Sequence, residues 1–306
     1  MLYQSGDITA STRDVICSKV HKGRELVCRD GKIAVAQGEA YEQPNAVRGV
    51  YLLFVSGKRP DTPAIRAFVR ANSAISLTHD PAAVQMLRVV RSDDEIVQPP
   101  TGDAAPGWVE LLRDGLTFDL EGLCPADPIE FPAAQHGFDF EGNPSSSMYE
   151  ALRLVPGAHL AGGESSLPVV RGMIALARDL THHFQDVEAI IWPPAQSVVG
   201  RRYFESTTTA WIDGGAFPAL GLTAFVQTLD GALQSVGLDY FIGQELRIEP
   251  PLVEDKVAAT RLAVRLVNQL VLMGGVQDAE RVVAPDGTRL IMRLSRNGRF
   301  VRVWSE

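Results

Sequence analysis

Cysteine is scarce. Cys17, Cys28 and Cys124 are the three in 306 residues, too few and too scattered for a disulfide framework or a cysteine-based zinc site. A reducing, cytoplasmic setting is the expectation. Long apolar runs are missing too: the longest, such as Val50 to Val55, fall far short of the roughly 20 residues that span a bilayer. The opening residues, Met1-Leu2-Tyr3-Gln4-Ser5-Gly6-Asp7, lack the basic segment and apolar core of a signal peptide, so no membrane partner is expected. Positive charge is not in excess. The formal net charge is -8, which disfavours nonspecific nucleic-acid binding.

Nucleotide and nucleophile signatures are also lacking. Ala161-Gly162-Gly163 and Gly214-Gly215 have neither a Gly-Lys-Ser/Thr ending nor dinucleotide-binding spacing, so no cofactor is expected. Ser145-Ser146-Ser147 stands outside any nucleophile-elbow pattern. His182-His183 would point about 100° apart on a helix and could hardly share a metal; solvent-facing residues near a helix C-terminus are the plainer reading. No metal site or catalytic residue is expected.

What is present is a globular balance, with 45% hydrophobic and 22% charged residues. The stretch from Leu160 to Val226 organises it. Ser165 or Ser166 caps a helix with Pro168 in its first turn and Val170, Ile174, Ala177 and Leu180 on one side. Val187 to Trp192 is a buried strand stopped by Pro193-Pro194. A second helix covers Gly200 to Ile212, and Phe217 to Thr228 reads as a long strand.

Elsewhere, residues 1–45 read as a polar β-meander or arm, with Val15 to Cys17 and Glu25 to Cys28 as strands and Asp30-Gly31 as a hairpin turn. Residues 46–123 form a first α/β half: a strand from Val47 to Val55, a helix capped by Asp61 or Thr62, a strand from Val84 to Val90, a short helix from Gly107 to Leu112, and a half-buried strand from Gly115 to Leu123. Residues 124–147, rich in Pro, Gly and Ser, are a linker or surface excursion. Residues 148–306 form a second half. Its Glu254–Met273 helix presents Ala259, Leu262, Ala263, Leu266, Leu270 and Met273 on one face and is closed by Gly274-Gly275. Asp286-Gly287 and Asn297-Gly298 turn the terminal strands. The fold class is α+β, with mixed or antiparallel sheets covered by helices; the pattern also allows two related α/β sandwich halves.

Four segments carry a family likeness: the capped helix leading to Glu188-Ala189-Ile190-Ile191-Trp192; Trp211-Ile212 with the strand after it; Gly237-Leu238-Asp239-Tyr240-Phe241-Ile242-Gly243-Gln244-Glu245-Leu246-Arg247-Ile248-Glu249-Pro250; and the last helix with Gly274-Gly275. In these the chain resembles a bacterial domain of unknown function, number 4261 in that series, over its second half and in outline over its first. The resemblance implies an α+β cytoplasmic accessory protein and brings no active site with it.

Candidate ligand-binding residues are Trp192, Arg201, Arg202, Gln244 and Glu245. Arg201-Arg202 open a helix after a proline turn, where an anion could meet guanidiniums and free N–H groups. Glu245 and Glu249 could share a helix face, or Glu245, Arg247 and Glu249 a strand face; a carboxyl there does acid–base work only if burial raises its pKa. Arg289, Arg293, Arg296, Arg299 and Arg302 gather on the terminal strands, with Arg289 and Arg293 on one face, either as edge protection or as a binding stripe. The expectation is a non-catalytic accessory protein that binds a protein partner or a small ligand. The alternative is an enzyme of hydrolase or transferase type with a cleft near Trp192, Arg202, Gln244 and Glu245.

Overall fold

The computed structural model describes residues 49–81, 107–284 and 286–306, together with strands β1 (Leu26–Arg29) and β2 (Lys32–Val35). The chain divides into two compact units, one ending at Ala46 and one running from Val47 to Glu306. In the first, β1 and β2 pair antiparallel with Leu26 opposite Val35, the pairing expected on either side of Asp30-Gly31. The strands expected at Val15 to Cys17 and Val84 to Val90 lie outside the described residues.

In the second unit, eight strands form one sheet: β3 (Val50–Val55), β4 (Ile75–His79), β5 (Trp108–Arg113), β6 (Leu116–Glu121), β7 (His136–Phe138), β8 (Tyr149–Pro156), β9 (Val187–Trp192) and β10 (Ser197–Gly200), in the order β4-β5-β6-β8-β3-β9-β10-β7. Its neighbours are antiparallel except β10 with β7. The central strand β3 is apolar at every position because both of its faces are covered. Val50, Leu52 and Phe54 pack under helices α1 (Thr62–Ala71), α2 (Leu167–His183) and α3 (Arg201–Ile212). Tyr51 and Leu53 face the other way, against Ala134 with Ile129, Phe131 and Phe140. The Pro-rich stretch 124–147 therefore supplies the cover for the sheet's second face and adds β7 to its edge.

Local chemistry sets the helix starts. Asp61 caps α1 by accepting from Ala64 N at 2.8 Å, with Pro63 in the first turn. Ser166 occupies the cap position of α2, but its side chain makes no capping hydrogen bond.

Two expectations are corrected. The segment from Gly107 to Leu112 is no helix. It forms β5, whose Val109, Leu111 and Arg113 alternate inward, and Asp114-Gly115, with φ of 52° and 81°, closes the hairpin to β6. Phe217 to Thr228 is no continuous strand. Gly221 at φ 108° breaks it within the short turn α4 (Ala219–Leu222), and β11 (Ala224–Gln227) follows. Strands β4 and β10 were not anticipated.

The second sheet is mixed: β11, β12 (Leu233–Val236), β13 (Glu245–Ile248), β14 (Glu280–Val283), β15 (Arg289–Leu294) and β16 (Phe300–Ser305), in the order β11-β12-β13-β16-β15-β14, with β13 and β16 parallel. Short α5 (Asp239–Ile242) precedes β13. Helix α6 (Lys256–Met273) is capped by Asp255, which accepts from Val257 N and Ala258 N, and ends at Gly274 with φ 76°. It buries Ala259, Ala263, Leu266 and Leu270, as expected, but Met273 is 45% exposed and Val267 and Val271 are buried instead.

The molecule is thus α+β with mixed sheets. Sheet membership does not follow the 46–123 and 148–306 division: β3 to β6 share a sheet with β8, β9 and β10. The cores under the two sheets join in one apolar cluster.

Candidate functional site

The residues singled out in sequence mostly turn inward. Trp192 ends β9 at 1% exposure. Its Nε1 donates to the Leu222 carbonyl at 3.0 Å, and its ring meets Tyr240 edge-on and stacks on Phe241. Gln244 works like a stretch of strand: Nε2 donates to the Val276 carbonyl at 2.9 Å, and Oε1 accepts from Val276 N at 3.0 Å. A side chain at Gly275 would place Cβ 2.8 Å from Gln244 Oε1, so the clamp depends on that glycine.

Glu245 fastens the turn between β12 and β13. Oε1 accepts from Gly237 N at 2.7 Å and Oε2 from Leu238 N at 3.3 Å, while Ser235 Oγ donates to Oε2. Burial pushes the carboxyl up to about 8, and the charge of nearby Asp239 adds to it, against the lowering pull of the Ser235 hydroxyl.

Arg201 and Arg202 do not form one anion-binding fork. Arg201 donates to the carbonyls of Thr181, Phe184 and Val187 at 2.7, 3.0 and 3.3 Å, closing the C-terminal end of α2. Arg202 alone is exposed, on an open depression shared with Asp139, Glu205 and Asp213, whose carboxylates oppose a bound anion. Among the described residues, no hydrogen bond or ion pair joins any two of Trp192, Arg202, Gln244 and Glu245, and no cluster of three His, Cys, Asp or Glu side chains could hold a metal.

A different group assembles on the six-stranded sheet. Strand alternation sends Leu246, Ile248, Leu290, Met292, Val301 and Val303 into the core shared with α6. The intervening residues take the opposite face. There Arg247 pairs in register with Arg302, and Arg302 with Arg293, so three arginines form one row across β13, β16 and β15. The next row sets Trp304 beside Ile291 and Ile291 beside Arg281. Trp304, Ile291 and Phe300 are only half-buried and belong to neither buried cluster. Around β15 and β16 this face is open, with Arg289 and Arg293 exposed and Ile291, Arg302 and Trp304 half-buried, whereas Glu249 and Ala224 on the same face are buried.

The row is held by Glu249, which is 6% exposed. It accepts from Arg247 Nε at 2.9 Å and Arg302 Nε at 2.6 Å. Asp230 accepts from Arg247 Nη2 at 2.5 Å, which holds the Asp230 carboxyl well below the usual carboxylate range. The Arg302 guanidinium lies 4.9 Å from the centroid of the Trp304 ring. Arg281 pairs with Glu306 at the margin. Arg289 and Arg293 are exposed, and neither has an ion-pair partner among the described residues.

Sequence pattern located the strand faces of Arg247 with Glu249 and of Arg289 with Arg293. It missed their union, because the β13–β16 pairing is parallel and joins segments 55 residues apart, Glu245 opposite Phe300. Trp304 carried no local signal. No helix among the described residues is long and apolar enough to cross a membrane. No family model, curated protein or solved structure matches the chain.

Proposed function

We propose that this is a non-catalytic accessory protein of the cytoplasm that binds an acidic segment of a protein partner on the face of its six-stranded sheet that is open around β15 and β16. The observation that carries the reading is the in-register row of Arg247, Arg302 and Arg293 beside Trp304. Arginine and tryptophan dominate binding energy where they sit on an accessible patch. Two guanidiniums are pre-oriented by Glu249, so little side-chain freedom is lost when carboxylates arrive. Arg289 and Arg293 supply the charge still to be matched.

A polypeptide suits this face better than a nucleic acid. Glu249, Asp230 and Glu306 interleave with the arginines, and the chain as a whole is at -8. A continuous phosphate backbone would meet these carboxylates, whereas spaced acidic side chains pass between them.

The test is binding of a fluorescent peptide of alternating Glu and Leu, read by anisotropy, with a thymidine oligonucleotide and a Lys-Leu peptide as comparators. The acidic peptide should bind, and the double variant R289E/R293E should lose at least tenfold in affinity. Equal binding by the variant, or preference for the oligonucleotide, refutes the reading.

A further inference from the structure

A groove far from the arginine row in sequence runs between the N-terminal half of α2, the β5–β6 hairpin and the end of α3. Its volume is about 440 Å³, within the range of small-molecule sites. Leu116, Leu167, Pro168, Ala175 and Ile212 give it apolar walls. Arg113 and Arg171 give it charge.

The shape follows from helix spacing. Arg171, Ala175 and Asp179 lie four residues apart on one stripe of α2. Ala175 is small, so space opens between the two polar residues. Arg113, only 9% exposed, reaches across from the last position of β5 to ion-pair with Asp179 through Nη1. Its Nε is buried without a hydrogen bond; Asp114 Oδ2 stands 3.3 Å away but out of line. Asp114 and Asp179 together hold the Arg113 guanidinium at the groove's wall. Arg171 is exposed at the other side, bonded through Nη2 to the Ile212 carbonyl at 2.6 Å, with N–H groups to spare.

We infer that this groove binds a small amphipathic monocarboxylate, its carboxylate between Arg113 and Arg171 and its hydrocarbon tail along the Leu116–Leu167–Ile212 wall. The charge count favours a monoanion. Of the charged residues that line the groove, Arg113 and Arg171 stand against Asp114, one positive charge in excess, while Asp179 is shared by Arg113 and Arg178. A dianion such as a phosphate monoester would exceed it, and the apolar wall would go unused. This site does not depend on the sheet face.

Octanoate is the probe, followed by amide chemical shifts in the ¹⁵N-labelled full chain, with octanol, octylamine and inorganic phosphate as comparators. Octanoate should shift the amides of residues 114–116 and 167–175, and octanol should bind at least tenfold more weakly. R171Q should weaken octanoate about tenfold without moving the melting temperature, whereas R289E/R293E should leave octanoate binding unchanged. R113Q should abolish binding; if R113Q does not fold, the octanoate–octanol difference and R171Q decide. Equal binding of octanol, phosphate as good a ligand as octanoate, no shift with millimolar octanoate, or an indifferent R171Q overturns the assignment.

Discussion

Replacing Glu245 by Gln should remove a large pH dependence from the protein's stability. The ordinary carboxyl value is 4.5, and in the folded chain burial raises it to about 8. The folded state therefore keeps a proton that the unfolded state gives up as pH rises between those values. With fewer protons bound in the unfolded state, stability falls as pH increases across this window and levels off above it. The gap is about 3.5 pH units at about 1.4 kcal/mol each, or roughly 5 kcal/mol at most. Glutamine reproduces the protonated carboxyl. Its oxygen can accept from Gly237 N and it does not ionise, although its amide nitrogen replaces the oxygen that accepts from Leu238 N and Ser235 Oγ. The assay is urea unfolding of both proteins at pH 5, 6.5 and 8, taking the difference at each pH so that shared titrations cancel. Between pH 5 and pH 8 the difference should move in the variant's favour by several kcal/mol. An unchanged difference from pH 5 to pH 8 would refute a buried, proton-retaining Glu245.

Other positions test the same packing. Gln244→Ala leaves both the N–H and the carbonyl of Val276 without partners and should cost about 2–4 kcal/mol, read as a lower urea midpoint. Gly200→Ala would place Cβ 1.9 Å from the Asp139 carbonyl oxygen, so it should destabilise by about 3 kcal/mol or more. Gly163→Ala, with its nearest atom at 3.5 Å and no positive φ, should melt within about 2 °C of the parent. Glu249→Leu should cost about 3–5 kcal/mol, because it leaves the Arg247 and Arg302 guanidiniums close together without their shared carboxylate.

Elements with dense local signals were legible in the sequence. Val187 to Trp192 is apolar but for Glu188 and ends at two prolines, and α6 has both a periodic face and a glycine stop. The hairpins at Asp286-Gly287 and Asn297-Gly298 announce themselves through glycines at φ 87° and 71°. The Gly107 to Leu112 misreading came from a short segment whose alternation is visible only once Arg113 is known to be buried. Its burial rests on Asp179, 66 residues away. Stretch 124–147 looks like a linker because covering a sheet face with loops requires no periodicity. Candidate site residues were hardest to judge. Trp192, Gln244 and Glu245 stand out for the same reason whether they bind a ligand or a backbone: each carries a polar group into an apolar setting. Only the partners, at Leu222, Val276 and Gly237, decide between the two.

The most direct test of the sheet-face account is amide hydrogen exchange with and without the Glu-Leu peptide at saturating concentration. The account predicts slowed exchange confined to Arg289–Leu294, Phe300–Ser305 and Glu245–Ile248, absent in R289E/R293E. Protection elsewhere with these strands untouched, or the same protection in the variant, would contradict it.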